Sequence, residues 1–219
     1  MAKKKQFAVI GLGRFGFSVA QTLSKAGYDV LAIDSNEESV QGISEFVTHV
    51  VQADTTDENS LKAIGIRNFD VVVVAIGENV QANILTTLLL KELGVPYIVA
   101  KAKNELHGKM LAKLGADRVV YPERDMGVRV AHNLVSTNVM DYIALSPNLS
   151  LVEVSAPKPL IGKSLAEANL RAKYGVNVVA MKRGDQLMVP PMPSEKIQEL
   201  DVMIIVGASA GVQKLEDFE

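Results

Sequence analysis

A glycine-rich run and a later aspartate carry the first recognisable chemistry in the chain. Residues 11–16 read GLGRFG, which has the spacing GxGxxG, and Asp34 ends the apolar run that follows. Such glycines permit a tight turn, a close approach of phosphate to the backbone, and close packing of the following helix. The amides at the start of that helix would bind a phosphate, while Asp34 would accept hydrogen bonds from ribose hydroxyls. The pattern predicts a site for NAD or an adenosine nucleotide and disfavours NADP, because an acid repels a 2′-phosphate.

A purely structural interpretation of the same residues stays open. The glycines could merely connect a strand to a helix, and Asp34 could cap the segment after it. We favour nucleotide binding because strand, turn, helix, second strand and acid occur together in this order. Arg14 could pair with a terminal phosphate through its guanidinium, or it could be a solvated surface arginine.

These residues need a parallel sheet to position them. Between Gln6 and about Val135, short apolar runs alternate with amphipathic segments, as in parallel strands joined by crossover helices. Most runs are continuous rather than alternating, which indicates helices on both faces. We predict strands at 7–10, 29–33, 49–53, 71–76, 97–100 and 118–121. We predict helices at 15–25, 37–46, 58–64, 80–93, 105–114 and about 125–142.

A change of pattern after residue 143 predicts a second unit. Ser146, Pro147 and Asn148 form a turn cluster within residues 144–150, which we interpret as the domain boundary. Short strands are predicted at 151–154, 176–181, 186–189 and 201–206, with helices near 165–170 and 210–218. The predicted fold is α/β: a Rossmann-like, doubly wound N-lobe over residues 1–143, then a small α+β C-lobe over 144–219. A C-lobe of this size has a small core, so we expect it to share an interface.

Composition excludes several classes of function. The chain has no cysteine, which excludes disulfides, thiolate metal sites and cysteine nucleophiles. Its 23 basic and 25 acidic residues give a net charge of -2, unlike the basic surface of nucleic-acid-binding proteins. Apolar runs are far shorter than the ~20 residues of a membrane helix. With no signal-peptide pattern, we expect a cytoplasmic protein.

Ordered motifs along the chain resemble a known family. FAVIGLGRFG at 7–16, QADTT at 52–56, AIGEN at 75–79 and YPERD at 121–125 closely resemble the cytosolic regulatory subunits of Ktr/Trk-type bacterial potassium-uptake systems. Those subunits consist of an RCK domain, a regulator of K⁺ conductance, with a Rossmann N-lobe and a small C-lobe. LIGKSL at 160–165 and LRAKYGVNVVA at 170–180 extend the resemblance into the C-lobe.

The resemblance implies a nucleotide site at the carboxyl ends of the predicted strands. It implies that Arg14 binds phosphates, that Asp34, Ser35 and Asn36 surround the ribose, and that Asp54 and Thr55 lie by the adenine. The remaining implied contacts are Gly11, Gly13, Phe15, Gly16, Ile76, Gly77, Glu78, Asn79, Lys101, Ala102, Lys103, His107 and Glu123.

Two of these residues have ordinary alternatives. The resemblance implies that Glu123 helps to bind a divalent cation such as Mg²⁺, a role that suits a hard oxygen ligand. Glu123 could instead be a first-turn acid that stabilises a helix dipole, and His107 could be a helix-surface histidine.

The resemblance also implies a second nucleotide, cyclic di-AMP, at a C-lobe dimer interface. Its implied contacts are Ile161, Leu165, Arg171, Asn177, Val178 and Pro191. Arg171 could pair with a phosphate and Asn177 could bind an adenine edge. Alternatively, the apolar residues serve only the core of the C-lobe, and Arg171 is a surface charge near a helix C-terminus.

The absence of catalytic motifs favours a switch over an enzyme. A dehydrogenase needs an acid–base residue beside the nicotinamide, and none of His49, His107 and His132 belongs to a recognisable catalytic set. An NAD-dependent oxidoreductase remains the alternative. The resemblance implies exchange between ATP and ADP, with NAD(H) as another ligand. It also implies dimers assembled into an octameric ring, docked on the inner face of the cell membrane under a K⁺-translocating membrane subunit.

The long predicted helix is also a candidate for assembly. Its apolar positions are Met126, Val130, Leu134, Val135 and Met140, more than a thin surface stripe requires. We predict that it packs against another subunit or crosses between the lobes. Ordinary packing within one chain is the alternative.

Overall fold

The computed structural model describes residues 4–135, 139–146 and 148–216. Contacts divide the chain into two compact units, Met1–Pro122 and Glu123–Glu219. This division falls before the boundary predicted near residue 144, and it assigns nearly all of the helix after β6 to the second unit.

The first unit alternates strands and helices along the chain. Its elements are β1 (Gln6–Ile10), α1 (Arg14–Lys25), β2 (Asp29–Asp34), α2 (Glu37–Ile43), β3 (His49–Gln52), α3 (Glu58–Ile64), β4 (Val71–Val74), α4 (Val80–Glu92), β5 (Ile98–Lys101), α5 (Glu105–Lys113) and β6 (Arg118–Val120). All pairings are parallel, in the order β3-β2-β1-β4-β5-β6 among the described residues. The predicted doubly wound parallel sheet is confirmed.

The first sheet is covered on both faces, as its continuous apolar strands predict. Along β1, Ala8 and Ile10 point into one core and Val9 points into the other. The first core includes Leu61 of α3, whereas the second includes Ala20 of α1. This double burial fixes the carboxyl ends of the strands, which therefore form a rigid edge for a site.

The second unit contains an antiparallel sheet. Its elements are α6 (Pro122–Val135), β7 (Val139–Ser146), β8 (Leu149–Ser155), α7 (Leu165–Ala168), α8 (Leu170–Tyr174), β9 (Val176–Arg183), β10 (Gln186–Met188), β11 (Val202–Ala208) and α9 (Ser209–Glu216). The strand order is β10-β9-β11-β8-β7 in the part of the chain that is described. Alternate residues of β8, including Val152 and Val154, are buried in one core.

The helix predicted over about 125–142 is wrong from Val139 onward. Residues from Val139 onward form β7, which pairs antiparallel with β8, with Tyr142 opposite Val152. Pairing with a later strand decides the conformation of this segment, and local apolar spacing does not reveal such a partner. Residues 136–138, the Val135 side chain, Pro147 of the predicted turn, and residues 217–218 of the last predicted helix lie outside the described residues.

The helix predicted near 165–170 is interrupted. Asn169 adopts a left-handed conformation with φ of 47°, and it separates α7 from α8. Asparagine tolerates this conformation better than most residues. No helix among the described residues is long and apolar enough to span a bilayer.

Candidate functional site

The reversal of strand order between β1 and β4 creates the point where open α/β sheets bind ligands. Gly11 follows β1 with φ of +90°, and a Cβ there would lie 2.8 Å from the backbone nitrogen of Ile76. A Cβ on Gly16 would collide with the carbonyl oxygen of Gly11. Packing within the protein therefore requires glycine at both positions.

Gly13 differs from the other two glycines. Its φ of -64° suits any residue, and a Cβ built on it meets no protein atom within 4 Å. Gly13 is the N-cap of α1, whose first turn has neither a side-chain cap nor an acidic residue. Free helix amides and the positive end of the dipole favour an anion at this place. Protein packing does not explain glycine at 13, but a phosphate against the backbone would.

Asp34 connects the glycine turn to the end of β2. Its Oδ2 accepts a hydrogen bond from the amide of Leu12 at 2.6 Å, and its Oδ1 accepts one from the amide of Asn36 at 2.9 Å. Asp34 thus stabilises the turn after β2, but the N-cap of α2 is Asn36 and not Asp34. A carboxylate oxygen accepts more than one hydrogen bond, so Asp34 keeps capacity for ribose hydroxyls.

The predicted ribose and adenine residues also shape their own turns. Asn36 caps α2 by accepting from the amide of Ser39, and the Ser35 carbonyl accepts from Gln52. Oδ1 of Asp54 accepts hydrogen bonds from the amide and the hydroxyl of Thr56. These bonds rigidify the loops after β2 and β3 at the carboxyl edge of the sheet.

Three predicted residues meet near the start of α1. A Cβ on Gly77 would lie 3.1 Å from Nζ of Lys101, and this Nζ lies 5.9 Å from the ring centroid of Phe15. The ammonium group therefore adds positive charge beside the first turn of α1, where Arg14 is exposed. Glu78 is exposed, and Asn79 caps α4 by accepting from the amide of Ala82.

His107 is not a surface histidine, so that alternative is wrong. It is only 3% exposed, and its Nδ1 accepts a hydrogen bond from the Lys103 amide. Burial lowers the pKa of His107, which favours the neutral ring. Ala102 precedes Lys103 in the chain and is also buried, and its amide donates to the Val120 carbonyl.

Glu123 lies in the first turn of α6, in the second unit. An acid at this position stabilises the helix dipole, as the ordinary interpretation has it. Among the described residues, no group of three or more acidic or histidine side chains forms a cluster suited to a metal ion.

The second unit contains a cleft of about 240 Å³, here called the second-unit cleft. It brings together five of the six residues predicted for the second nucleotide, and Ile161 is not among its lining residues. The lining residues are Leu165, Ala166, Asn169, Leu170, Arg171, Val176, Asn177, Val178, Pro191 and Pro193. Arg171 and Asn177 are exposed, whereas Leu165 and Val178 are partly buried and pack against the core of this unit, so the ordinary core role holds for those two.

An ion-pair network holds the chain segment that supplies the prolines of this cleft. Arg183 donates to buried Asp201 at 2.8 Å, to Glu195 at 2.8 Å, and to the Lys196 carbonyl at 2.9 Å. Burial alone would raise the pKa of Asp201, but hydrogen bonds from Arg183 and from the amide of Gln198 outweigh it and lower that pKa. This network could not be predicted from the sequence because its members are distant in the chain.

Three buried polar residues on α4 were also not predicted from the sequence. Asn83, Thr86 and Thr87 are fully buried. Their spacing, three and four residues apart in a helix whose residues 84–90 are otherwise apolar, was the available signal.

Comparison with known proteins gives the family. Residues 7–122 match the TrkA-N domain and residues 149–219 match the TrkA-C domain. Ktr system potassium uptake protein C of Bacillus subtilis is 52% identical over 213 residues, 97% of this chain and 96% of that protein. The chain belongs to the RCK-domain regulatory subunits of Ktr-type potassium-uptake systems. Another Ktr relative, protein A of the same organism, is 48% identical over 215 residues, 98% of this chain and 97% of that protein.

Solved structures agree with this RCK fold. The RCK domain of GsuK superimposes with a TM-score of 0.70 at 19% identity, covering 99% of this chain and 48% of that chain. The GsuK channel bound to NAD gives a TM-score of 0.69, also at 19% identity, covering 99% of this chain and 40% of that chain. This chain therefore spans less than half the length of the GsuK chains. At 19% identity, the similarity shows only that the fold is shared.

Proposed function

We propose that this Ktr-family subunit binds ATP and ADP in the first unit and gates K⁺ uptake by exchanging them. The observation that carries the proposal is Gly13, a glycine that packing within the protein does not require, at the uncapped start of α1. A side chain there would occupy the space through which a phosphate approaches the helix amides.

The site has a phosphate side and a base side. On the phosphate side, the helix amides, Arg14 and Lys101 supply positive charge, and Gly77 leaves room for the ammonium group. Asp34 would bind the ribose. On the base side, the loop of Asp54 and Thr55 would contact the adenine.

Differential affinity makes such a site a switch. A ligand shifts a conformational equilibrium only if it binds two conformations unequally. ATP has one phosphate and its charge more than ADP, and Arg14 is the exposed cation at the first position of α1. We propose that Arg14 senses this phosphate and that Glu123 helps to bind a divalent cation between the nucleotides of neighbouring subunits. A single carboxylate suits Mg²⁺, which is commonly held by one or two carboxylates and phosphate oxygens.

A role without chemistry fits these residues. His107 is buried, and its Nδ1 already accepts a hydrogen bond from the Lys103 amide, so this nitrogen is not available as a base. NAD(H) remains an alternative ligand, and oxidoreductase activity the alternative function. GsuK structures carry NAD in one case and ADP in another. Hydride transfer from NADH to candidate substrates would overturn the proposal that the subunit is not an enzyme.

Substitution of Gly13 tests the nucleotide site. Gly13→Ala should weaken ATP and ADP binding at least tenfold in calorimetry, while thermal unfolding changes little. Gly42→Ala is the matched control, because a Cβ at that helical glycine also meets no atom within 4 Å. Unchanged affinity in Gly13→Ala, or no binding of either nucleotide by the unsubstituted protein, would overturn the proposal.

Assembly and partner follow from the family. Relatives named as Ktr system subunits support a membrane K⁺-translocating partner, and we propose dimers arranged in an octameric ring on the inner face of the membrane. Met126, Val130 and Leu134 are exposed on α6, which supports packing against another subunit over packing within one chain.

We propose cyclic di-AMP as the ligand of the second-unit cleft. Apolar walls can sandwich a base, while Arg171 can pair with a phosphate and Asn177 can bind an adenine edge. The clustering of these residues around one cleft supports the proposal.

A further inference from the structure

Helix α4 carries a buried polar stripe formed by Asn83, Thr86 and Thr87. All three residues are fully inaccessible to solvent, although their neighbours Leu89 and Leu90 pack into the core as expected. Burying a polar group costs free energy unless a hydrogen bond compensates it. A helix that served only to cover the sheet would carry apolar side chains at these positions.

Asn83 joins two strand ends of the carboxyl edge. Its Nδ2 donates to the carbonyl of Ile76 at 2.6 Å and to the carbonyl of Lys101 at 3.0 Å. Ile76 precedes Gly77 after β4, and Lys101 ends β5. One amide group therefore sets the spacing between the two segments of the phosphate side.

Thr86 holds the loop on the base side. Its hydroxyl donates to the carbonyl of Thr55 at 3.2 Å and lies 2.9 Å from the hydroxyl of Thr55. Thr55 is itself buried, so this pair is shielded from water. The loop after β3 is thus tied to the same helix that holds β4 and β5.

Thr87 shows that a buried hydroxyl on α4 does not by itself make a hydrogen bond to the loop after β3. Its hydroxyl is as buried as that of Thr86, but it has no hydrogen-bond partner among the described residues. Thr86 and Thr87 therefore offer two equally buried hydroxyls on one helix, of which one reaches the loop at the carboxyl edge.

We propose that Asn83 and Thr86 are positioning residues that hold the phosphate side and the base side of the nucleotide site at a fixed spacing. The inference rests on the proposed nucleotide site in the first unit. A ligand that spans both sides binds well only if the supporting residues fix both in place. Neither residue needs to touch the nucleotide, because each acts through the strand-end backbone.

Isosteric substitutions separate positioning from folding. In the full chain, Thr86→Val should weaken ADP and adenosine binding three- to tenfold alike, because both ligands carry the base. Thr86→Ser keeps a hydroxyl and should restore affinity to within twofold. Thr87→Val is the matched control and should leave both affinities unchanged. Calorimetry gives the affinities, and thermal unfolding without ligand gives the stability.

Substitution of Asn83 should affect the phosphate side of the site rather than the base side. Asn83→Ala should weaken ADP binding at least threefold and adenosine binding less than twofold, since adenosine lacks phosphates. Thr86→Val with lowered thermal stability but unchanged affinities would overturn the inference, as would equal affinity losses in Thr86→Val and Thr87→Val. Absence of ADP binding by the unsubstituted protein would overturn the proposed function as well.

Discussion

The carboxylate of Asp34 accepts a hydrogen bond from the backbone amide of Leu12, with 2.6 Å between Leu12 N and Asp34 Oδ2. This contact fixes the glycine turn against the end of β2. Asp34 therefore orders the phosphate-binding backbone, in addition to its proposed role toward the ribose.

Asp34→Ala should weaken ATP and ADP binding at least tenfold, because it removes the ribose acceptor and releases the turn. Asp70→Ala is a matched control: its carboxylate accepts from the Gln6 amide at the opposite end of β1, at 2.8 Å. Both variants should unfold at lower temperature, but only Asp34→Ala should lose affinity in calorimetry. Full affinity in Asp34→Ala would contradict a ribose role.

Arg14→Ala should lose more affinity for ATP than for ADP. A charge-assisted contact to the terminal phosphate contributes on the order of 1.5–3 kcal/mol, so ATP binding should fall roughly 10- to 100-fold. Arg67→Ala, which replaces an exposed arginine of the turn after α3, is the control. Equal losses for both nucleotides in a titration would mean that Arg14 contacts only the shared phosphates.

The exposed stripe on α6 predicts self-association. Met126, Val130 and Leu134 are four residues apart and lie on one side of the helix, with Leu134 81% exposed. Val130→Glu should shift the sedimenting species toward the 23.6 kDa monomer. Val128→Glu is the control, since Val128 is equally exposed but points about 200° away from Val130 around the helix. A monomeric unsubstituted protein at micromolar concentration would refute the prediction.

The proposed role of Arg171 predicts that cyclic di-AMP binding in the second-unit cleft depends on this side chain. Arg171→Ala should weaken cyclic di-AMP binding about tenfold or more, because a charge-assisted phosphate contact is lost. Lys173→Ala changes a charge on the same helix outside the cleft and should have no effect. The full chain is used, since a fragment starting at residue 144 would lack most of β7. If the unsubstituted protein gives no heat of binding, cyclic di-AMP is not the ligand of the second-unit cleft.

His107 predicts a pH dependence of stability. Burial lowers the pKa of His107 in the folded state below the unfolded value of about 6.5. At pH values between these two pKa values, the unfolded state therefore binds more protons than the folded state. The free energy of unfolding should therefore fall as the pH decreases from 7.5 to 5.5. Urea denaturation of His107→Gln should show a flatter profile than that of the unsubstituted protein. An unchanged slope in His107→Gln would contradict the assignment.

The order of motifs along the sequence was enough to predict the fold of the first unit. A glycine turn between strand and helix, followed by an acid after the next strand, constrains the fold because each part requires the others. The six parallel strands followed from continuous apolar runs. The exchange of ATP for ADP and the individual contacts to the nucleotide stay predictions.

Features that depend on distant partners could not be predicted in this way. Residues 139–142 of β7 were assigned to a helix because their conformation depends on pairing with β8. His107 was left between surface and site because its burial depends on how α5 packs against α4 and β6, which the neighbouring sequence does not specify. The ties of Asn83 to Ile76 and Lys101 join three separate segments, and no local pattern specifies such a junction.

Two contacts fasten α6 to the second sheet. Arg129 pairs with Asp141 of β7, and the rings of His132 and Tyr142 stack with centroids 4.1 Å apart. Helix α6 and the sheet of the second unit therefore move together, so a displacement of the strands also displaces the helix. A spectroscopic label on the exposed side of α6 would thus report, at a distance, on events at the strands of the second unit.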